Sequence, residues 1–159
     1  MSEALEGGCA CGALRYRLAA APMITHCCHC RDCQRQVGSA FVINALIETA
    51  NIVFTKSGPM RVDSLPTDSG RPHDAHRCAA CATTLWSDYG RRGYMAFLRV
   101  GTLDDAAAIA PDIHIYTRWK LPWVRLPEGA RQFEAFYDVK AEWPTAAMAR
   151  VKAAAEAAT

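Results

Sequence analysis

Residues 26–33, HCCHCRDC, carry four cysteines and two histidines in eight positions. The other four cysteines fall in two short segments, CAC (Cys9 and Cys11) and CAAC (Cys78 and Cys81). Thiols at these spacings can bind a metal, attack a carbonyl or cycle through a disulfide. In an extended chain residues i and i+2 face the same side, so a C-x-C pair aims two sulfurs at one point. A C-x-x-C turn achieves the same by folding back, as in zinc ribbons. Zinc takes thiolates at about 2.3 Å in a tetrahedron, four of them in a structural site and three where one position stays open for chemistry.

CAC with CAAC makes a four-cysteine set that would pin the N-terminal region to a turn far along the chain, where a metal clip has most loop entropy to remove. CHCRDC then keeps three close thiols, Cys28, Cys30 and Cys33, the count of an open site. Spacing does not exclude the alternative in which CAC joins CHCRDC. Cys27 directly precedes Cys28, so in a strand it points to the opposite face and reads as a small buried residue. His29 lies between two ligands and should point away from the metal, towards substrate, a ligand or the surface. His73 and His76 precede CAAC in a polar loop and are expected to be solvated, although either could approach the open site. His26 and His114 are strand residues with no partner visible. Arg31, Gln34 and Arg35 flank the three-cysteine group, either as ordinary surface residues or as contacts for an anionic ligand.

These side chains need a scaffold of short strands. ALRYRLAA alternates Leu14, Tyr16 and Leu18 against Arg15 and Arg17, the period of a half-buried strand. MITHCC reads as a strand running into the cysteine cluster. RDCQRQVG suits a helical turn stopped by Gly38. SAFVINALIE, NIVFTKSG, MRVDSL, TTLWSD, YMAFLRVG and DIHIYT are further strand candidates separated by turn residues, while SLPTDSGRPHD reads as a polar loop. No long helix is expected before residue 140, so the fold class is mainly β with short antiparallel strands. Past Asp138 the composition shifts: WPTAAMARVKAAAEAAT has a proline and strong helix formers, which predicts a C-terminal helix. Its apolar stripe, Ala147, Val151, Ala154 and Ala158, is thin, so residues 141–159 are expected to form a weakly docked tail on a 1–140 domain.

The chain has 159 residues, 51% hydrophobic and 21% charged, with a net charge of +2. That is the balance of one globular domain. It gives no electrostatic case for nucleic acid. No stretch approaches the roughly 18 apolar residues of a membrane span, and MSEALEGGCACG does not resemble a signal peptide. A cytoplasmic location is therefore expected, where eight reduced cysteines favour metal binding or thiol chemistry over disulfides.

Taken in order, these blocks resemble the glutathione-dependent formaldehyde-activating enzyme family, which also includes centromere protein V. GGCACGALRY is similar to its opening G-C-x-C-G, CHCRDCQRQVGSAF to its central block and HRCAACATTLW to its second C-x-x-C. DIHIYTRWKLPWVRLPEGARQFEAF is similar to its closing segment. Two positions depart from the family pattern: Arg77 replaces the usual aromatic before the second C-x-x-C, and Ala82 the usual glycine after it. The resemblance implies a zinc-binding β-tent fold with two zinc ions per chain. One would be structural, at Cys9, Cys11, Cys78 and Cys81, and the other catalytic and more labile, at Cys28, Cys30 and Cys33. It implies a small thiol such as glutathione and a small aldehyde, formaldehyde, as partners, and a carbon-sulfur lyase-type reaction on their adduct. Arg31 and Arg35 are candidates for holding the glutathione carboxylates. Two other classes fit the same residues: a non-catalytic zinc module that binds a thiol or a protein, and a redox sensor in which Cys27, Cys28 and Cys30 oxidise once zinc leaves.

Overall fold

A computed structural model describes residues 5–159. The chain is mainly β. Ten strands run in order: β1 Glu6–Gly8, β2 Arg15–Leu18, β3 Ile24–Cys28, β4 Val42–Glu48, β5 Ile52–Lys56, β6 Met60–Ser64, β7 His73–Cys78, β8 Thr84–Tyr89, β9 Met95–Arg99 and β10 Ile113–Ile115. Three helices accompany them: α1 Arg31–Val37, α2 Val139–Glu142 and α3 Thr145–Ala157. The strands form a three-stranded sheet, β1-β2-β5, and a seven-stranded sheet, β10-β3-β4-β9-β8-β7-β6. Every pairing is antiparallel except β10 with β3, which is parallel. The sheets are therefore mainly antiparallel, as expected, with one parallel pair at the β10 edge of the large one.

The alternation in each strand says which layer it builds. Leu14, Tyr16 and Leu18 face Ala45, Ile47, Leu85, Trp86 and Leu98, so the small sheet covers one face of the large one. Phe54 of β5 and Trp86 of β8 meet across that layer with ring centroids 6.1 Å apart. On the other face Ile24, Cys28, Leu46, Met95, Ile113 and Ile115 pack against Tyr137, Trp143 and Ala147 from the C-terminal region. Strand β3 is consequently buried at all five positions, the situation of a strand covered on both faces. This is why its two successive cysteines can serve two separate groups.

Three readings from sequence change. HDAHRC is strand β7 rather than the end of a polar loop; His73 is buried and His76 stacks on Trp86, ring centroids 4.6 Å apart. Its polar letters hid the alternation because the inward positions, His73 and Ala75, are not large apolar residues. Glu6–Gly8 forms a short strand that composition did not signal. The C-terminal helix is fastened at its start: Trp143 and Ala147 are buried, and Arg150 binds the Glu48 carboxylate at 2.5 Å and the Ala21 carbonyl at 2.9 Å. Only its far end, from Glu156 on, is exposed throughout. Among the described residues no helix is long and apolar enough to cross a membrane.

Candidate metal centres

The CAC segment leaves β1 in a tight turn in which the Gly12 N–H donates to the Cys9 carbonyl at 3.0 Å, with Gly12 at φ 71°. The CAAC segment leaves β7 in a matching turn: the Ala82 N–H donates to the Cys78 carbonyl at 2.9 Å, with Ala82 at φ 63°. The two turns face each other and bring four sulfurs within 4.8 Å of one another. Cys9 and Cys11 Sγ are 3.5 Å apart, and Cys11 and Cys78 Sγ 3.8 Å. Those separations fit a tetrahedral thiolate shell, whose sulfurs stand about 3.8 Å apart for zinc. Polar groups converge on the same sulfurs: the Leu14 N–H donates to Cys9 Sγ at 3.2 Å, and the Thr83 hydroxyl lies 3.1 Å from Cys81 Sγ. The Thr83 hydroxyl and backbone N–H draw the Cys81 thiol down to about 5. A cation bound among these sulfurs would displace their protons.

The second group gathers at the β3–α1 junction. Cys28 ends β3, Cys30 caps α1, and Cys33 lies in its first turn; their sulfurs again fall within 4.8 Å. The Cys33 N–H donates to Cys30 Sγ at 3.3 Å, the usual N-cap bond with sulfur in place of oxygen. The Gly38 N–H closes the helix on the Gln34 carbonyl at 2.9 Å, with Gly38 left-handed at φ 63°. Cys28 and Cys33 are buried and Cys30 is half-buried, so the cluster opens to solvent on the Cys30 side. Hydrogen bonds from Cys28 and Cys33 pull the Cys30 thiol down to about 3. Cys28 moves the other way, first through its bond to Cys30. For Cys33 the bond with Cys28 lowers the thiol, but the bond to Cys30 and burial outweigh it and push it up to about 12. The cluster thus favours ionisation at Cys30 over its two neighbours.

A buried polar network stands behind it. Arg99 binds Asn44 Oδ1 and donates to the Ser87 hydroxyl at 2.8 Å. Ser87 Oγ lies 2.8 Å from His73 Nε2, and His73 stacks on Tyr89, ring centroids 4.1 Å apart. The Tyr89 hydroxyl reaches Cys33 Sγ at 3.8 Å. Arg99 and Tyr89 escaped the sequence reading because nothing in YMAFLRVG separates Arg99 from an ordinary strand residue, and Tyr89, just after TTLWSD, reads as a turn residue.

Cys27 and His29 face away from this group and meet His114; all three are buried. His26 Nε2 lies 2.5 Å from the Tyr137 hydroxyl, which accepts from Trp143 Nε1–H at 2.6 Å. Arg31 and Arg35 are exposed on α1 and line an open cavity of about 470 Å³ with Gln34, Gly38, Ser39, Ala40, Leu121 and Trp123. The three cysteines are not among its lining residues, so the arginines flank the thiol cluster without sharing a cavity with it.

Two packed sheets that bring cysteines together in clusters define a class: a mainly β protein whose cysteine clusters could hold metal ions. The family model described as "Glutathione-dependent formaldehyde-activating enzyme" matches residues 4–119, most of the chain, and the protein belongs to that family. A protein of Halomonas elongata, provisionally described as a glutathione-dependent formaldehyde-activating enzyme, is 27% identical over 150 residues, covering 87% of this chain and 93% of its own.

Proposed function

We propose that the protein is a zinc-dependent enzyme of the carbon–sulfur lyase type that makes or breaks the adduct between a thiol, glutathione, and an aldehyde, formaldehyde. The observation that carries this reading is the trio Cys28, Cys30 and Cys33: three convergent sulfurs, two buried, with the third on the open side. These residues would hold a zinc ion through sulfur alone, and Cys9, Cys11, Cys78 and Cys81 would hold a structural one. A zinc ion at an open three-thiolate site favours the thiolate form of a bound thiol and can polarise an aldehyde oxygen.

The chain's own groups do the remainder. In the forming direction the glutathione sulfur bonds to the formaldehyde carbon, the carbonyl π bond breaks, and the thiol proton ends on the new hydroxyl. Cys28 and Cys33 shield the inner side of the site from water, and the Tyr89 hydroxyl stands beside Cys33. Arg31 and Arg35 supply positive charge on the adjoining helix face for the carboxylates of glutathione. Bringing the two reactants together removes the entropy of their encounter. The uncatalysed reaction is already quick, so the decisive measurement is an exchange rate. NMR exchange spectroscopy on glutathione and formaldehyde should show faster interconversion with zinc-loaded protein and none of that gain with Cys30→Ser. Equal rates with both proteins, or no gain with either, exclude the reading. Arg31→Ala with Arg35→Ala should raise KM for glutathione more than it lowers kcat.

A further inference from the structure

Three motifs account for seven cysteines; Cys27 belongs to none of them. On β3 it is in register with His114 of the parallel strand β10, so the two side chains leave the same face of the sheet. His29, one residue beyond β3, turns its ring to that face as well. Its Nε2 lies 3.5 Å from Cys27 Sγ and 3.2 Å from His114 Nδ1. Cys27, His29 and His114 are 2%, 0% and 8% exposed, and their ligand atoms lie within 4.8 Å of one another. The group sits on the reverse of the Cys28–Cys30–Cys33 cluster and shares no sulfur with it.

Hydrogen bonding accounts for only part of this geometry. An imidazole nitrogen offers one proton or one lone pair, and Nε2 of His29 has two close partners. If it carries the proton and donates to His114, the Cys27 thiol proton has no acceptor there. If it offers the lone pair, only one of Cys27 and His114 can donate to it. A cation at the centre satisfies all three atoms together. With metal–sulfur and metal–nitrogen bonds typical of zinc, tetrahedral ligands stand about 3.6 Å (S to N) and about 3.3 Å (N to N) apart. The observed 3.5 and 3.2 Å match both edges.

We propose that Cys27, His29 and His114 form a third metal site, for a thiophilic d10 cation. It does not depend on the reaction proposed above. One thiolate and two neutral imidazoles carry a single negative charge. Copper(I) would make the site neutral, whereas zinc(II) would leave one positive charge in a buried place, where uncompensated charge is costly. The shared chemistry is a soft, closed-shell cation, and experiment separates the two. Coordination through Nε2 puts the imidazole proton on Nδ1 of His29, which is buried with no hydrogen-bond partner among the described residues. This site should therefore be weaker than the four-cysteine centre and empty first under a chelator. The outer edge of β10 is covered by residues 131–135, which hydrogen-bond to His114 and Tyr116, so the site is closed on that side.

The test uses the full chain, purified anaerobically, with Cys27→Ser and His114→Gln beside it. If the site takes zinc, zinc content after equilibration is one ion per chain higher in the wild type than in either variant. In a copper arm, copper(I) is added to zinc-loaded protein and zinc release is followed. One copper bound by the wild type without zinc release, and none by the variants, assigns the site to copper(I). Ion counts equal across all three proteins in both arms overturn the proposal. If a variant fails to fold, cadmium-113 substitution of the wild type decides. A nitrogen-rich site gives a resonance upfield of the sulfur-only ones, and a spectrum with sulfur-only resonances overturns the proposal equally.

Discussion

Ala82 shows how one methyl group enters the chemistry of a metal turn. The turn after CAAC needs a left-handed residue, and Ala82 supplies it at φ 63°. A non-glycine residue there costs about 1–2 kcal/mol, against about 0.5–1 kcal/mol for the extra freedom that glycine loses on folding. Ala82→Gly should therefore raise the unfolding free energy by roughly 0.5–1 kcal/mol in urea, with zinc content unchanged. Gly12 occupies the equivalent place after CAC, and a Cβ built on it would meet nothing within 4 Å. Gly12→Ala should thus lower stability by a similar amount for the conformational reason alone. Arg99 poses a different problem: it is 6% exposed, its Nε has no partner, and no carboxylate among the described residues pairs with it. A buried guanidinium without a carboxylate needs another anion, and its network reaches the thiol cluster at Cys33, through Ser87, His73 and Tyr89. Arg99→Met should speed loss of the ion held there by about 10- to 100-fold under a chelator, while ions bound elsewhere leave at the wild-type rate. The grouping of the cysteines was legible because period two and the C-x-x-C turn are local rules. The meeting of His29 with His114 was not, because it depends on a parallel pairing of segments 85 residues apart.

At the level of elements, the sequence displayed most strands and understated what holds the C-terminal helix. Period-two alternation revealed β2 and β10, and apolar runs bounded by turn residues revealed β4 and β9, whereas β7 was hidden because its buried positions include a histidine. The alanine stripe of α3 is too thin to predict docking, and a single ion pair does much of what the stripe cannot. The Arg150 guanidinium, hydrogen-bonded to Glu48, holds that carboxyl at about 2 against an ordinary 4.5. A folded-state value below the unfolded one means that the pair stabilises the protein fully above about pH 4.5. That contribution is lost as pH falls from there through about 2. The Arg150 side chain is 32% exposed, so solvent screening limits the contribution to about 1 kcal/mol. Arg150→Gln should lower stability by that amount at pH 6 and by much less at pH 2, so the acid slope of its unfolding free energy is flatter than that of the wild type. Parallel slopes would mean that α3 docks without this pair. Protease sensitivity near residue 145 should rise in the variant at pH 6.

At the scale of the molecule, the two sulfur-only clusters differ in how much chain they close. Cys28, Cys30 and Cys33 lie within one turn-sized stretch at the end of a strand already buried on both faces, so a cation there adds little to folding. Cys11 and Cys78 are 67 residues apart, and with Cys9 and Cys81 they join the small sheet to the β7–β8 edge of the large one. Loop-closure entropy grows as about 1.5 RT ln n, so a clip across 67 residues should exceed one across about five by roughly 2 kcal/mol. The four-cysteine centre should therefore govern global stability and the three-cysteine centre should govern chemistry. Zinc-loaded Cys30→Ser should unfold within about 1 kcal/mol of the wild type and still respond strongly to chelator. Cys9→Ser should lose at least about 2 kcal/mol more than Cys30→Ser and show little further loss when chelator is added. Chelator-treated wild type should converge on the Cys9→Ser curve. If instead Cys30→Ser proved the more destabilised, the junction of β3 with α1 would be what holds the two sheets together, and the division between a stabilising and a reactive centre would be reversed.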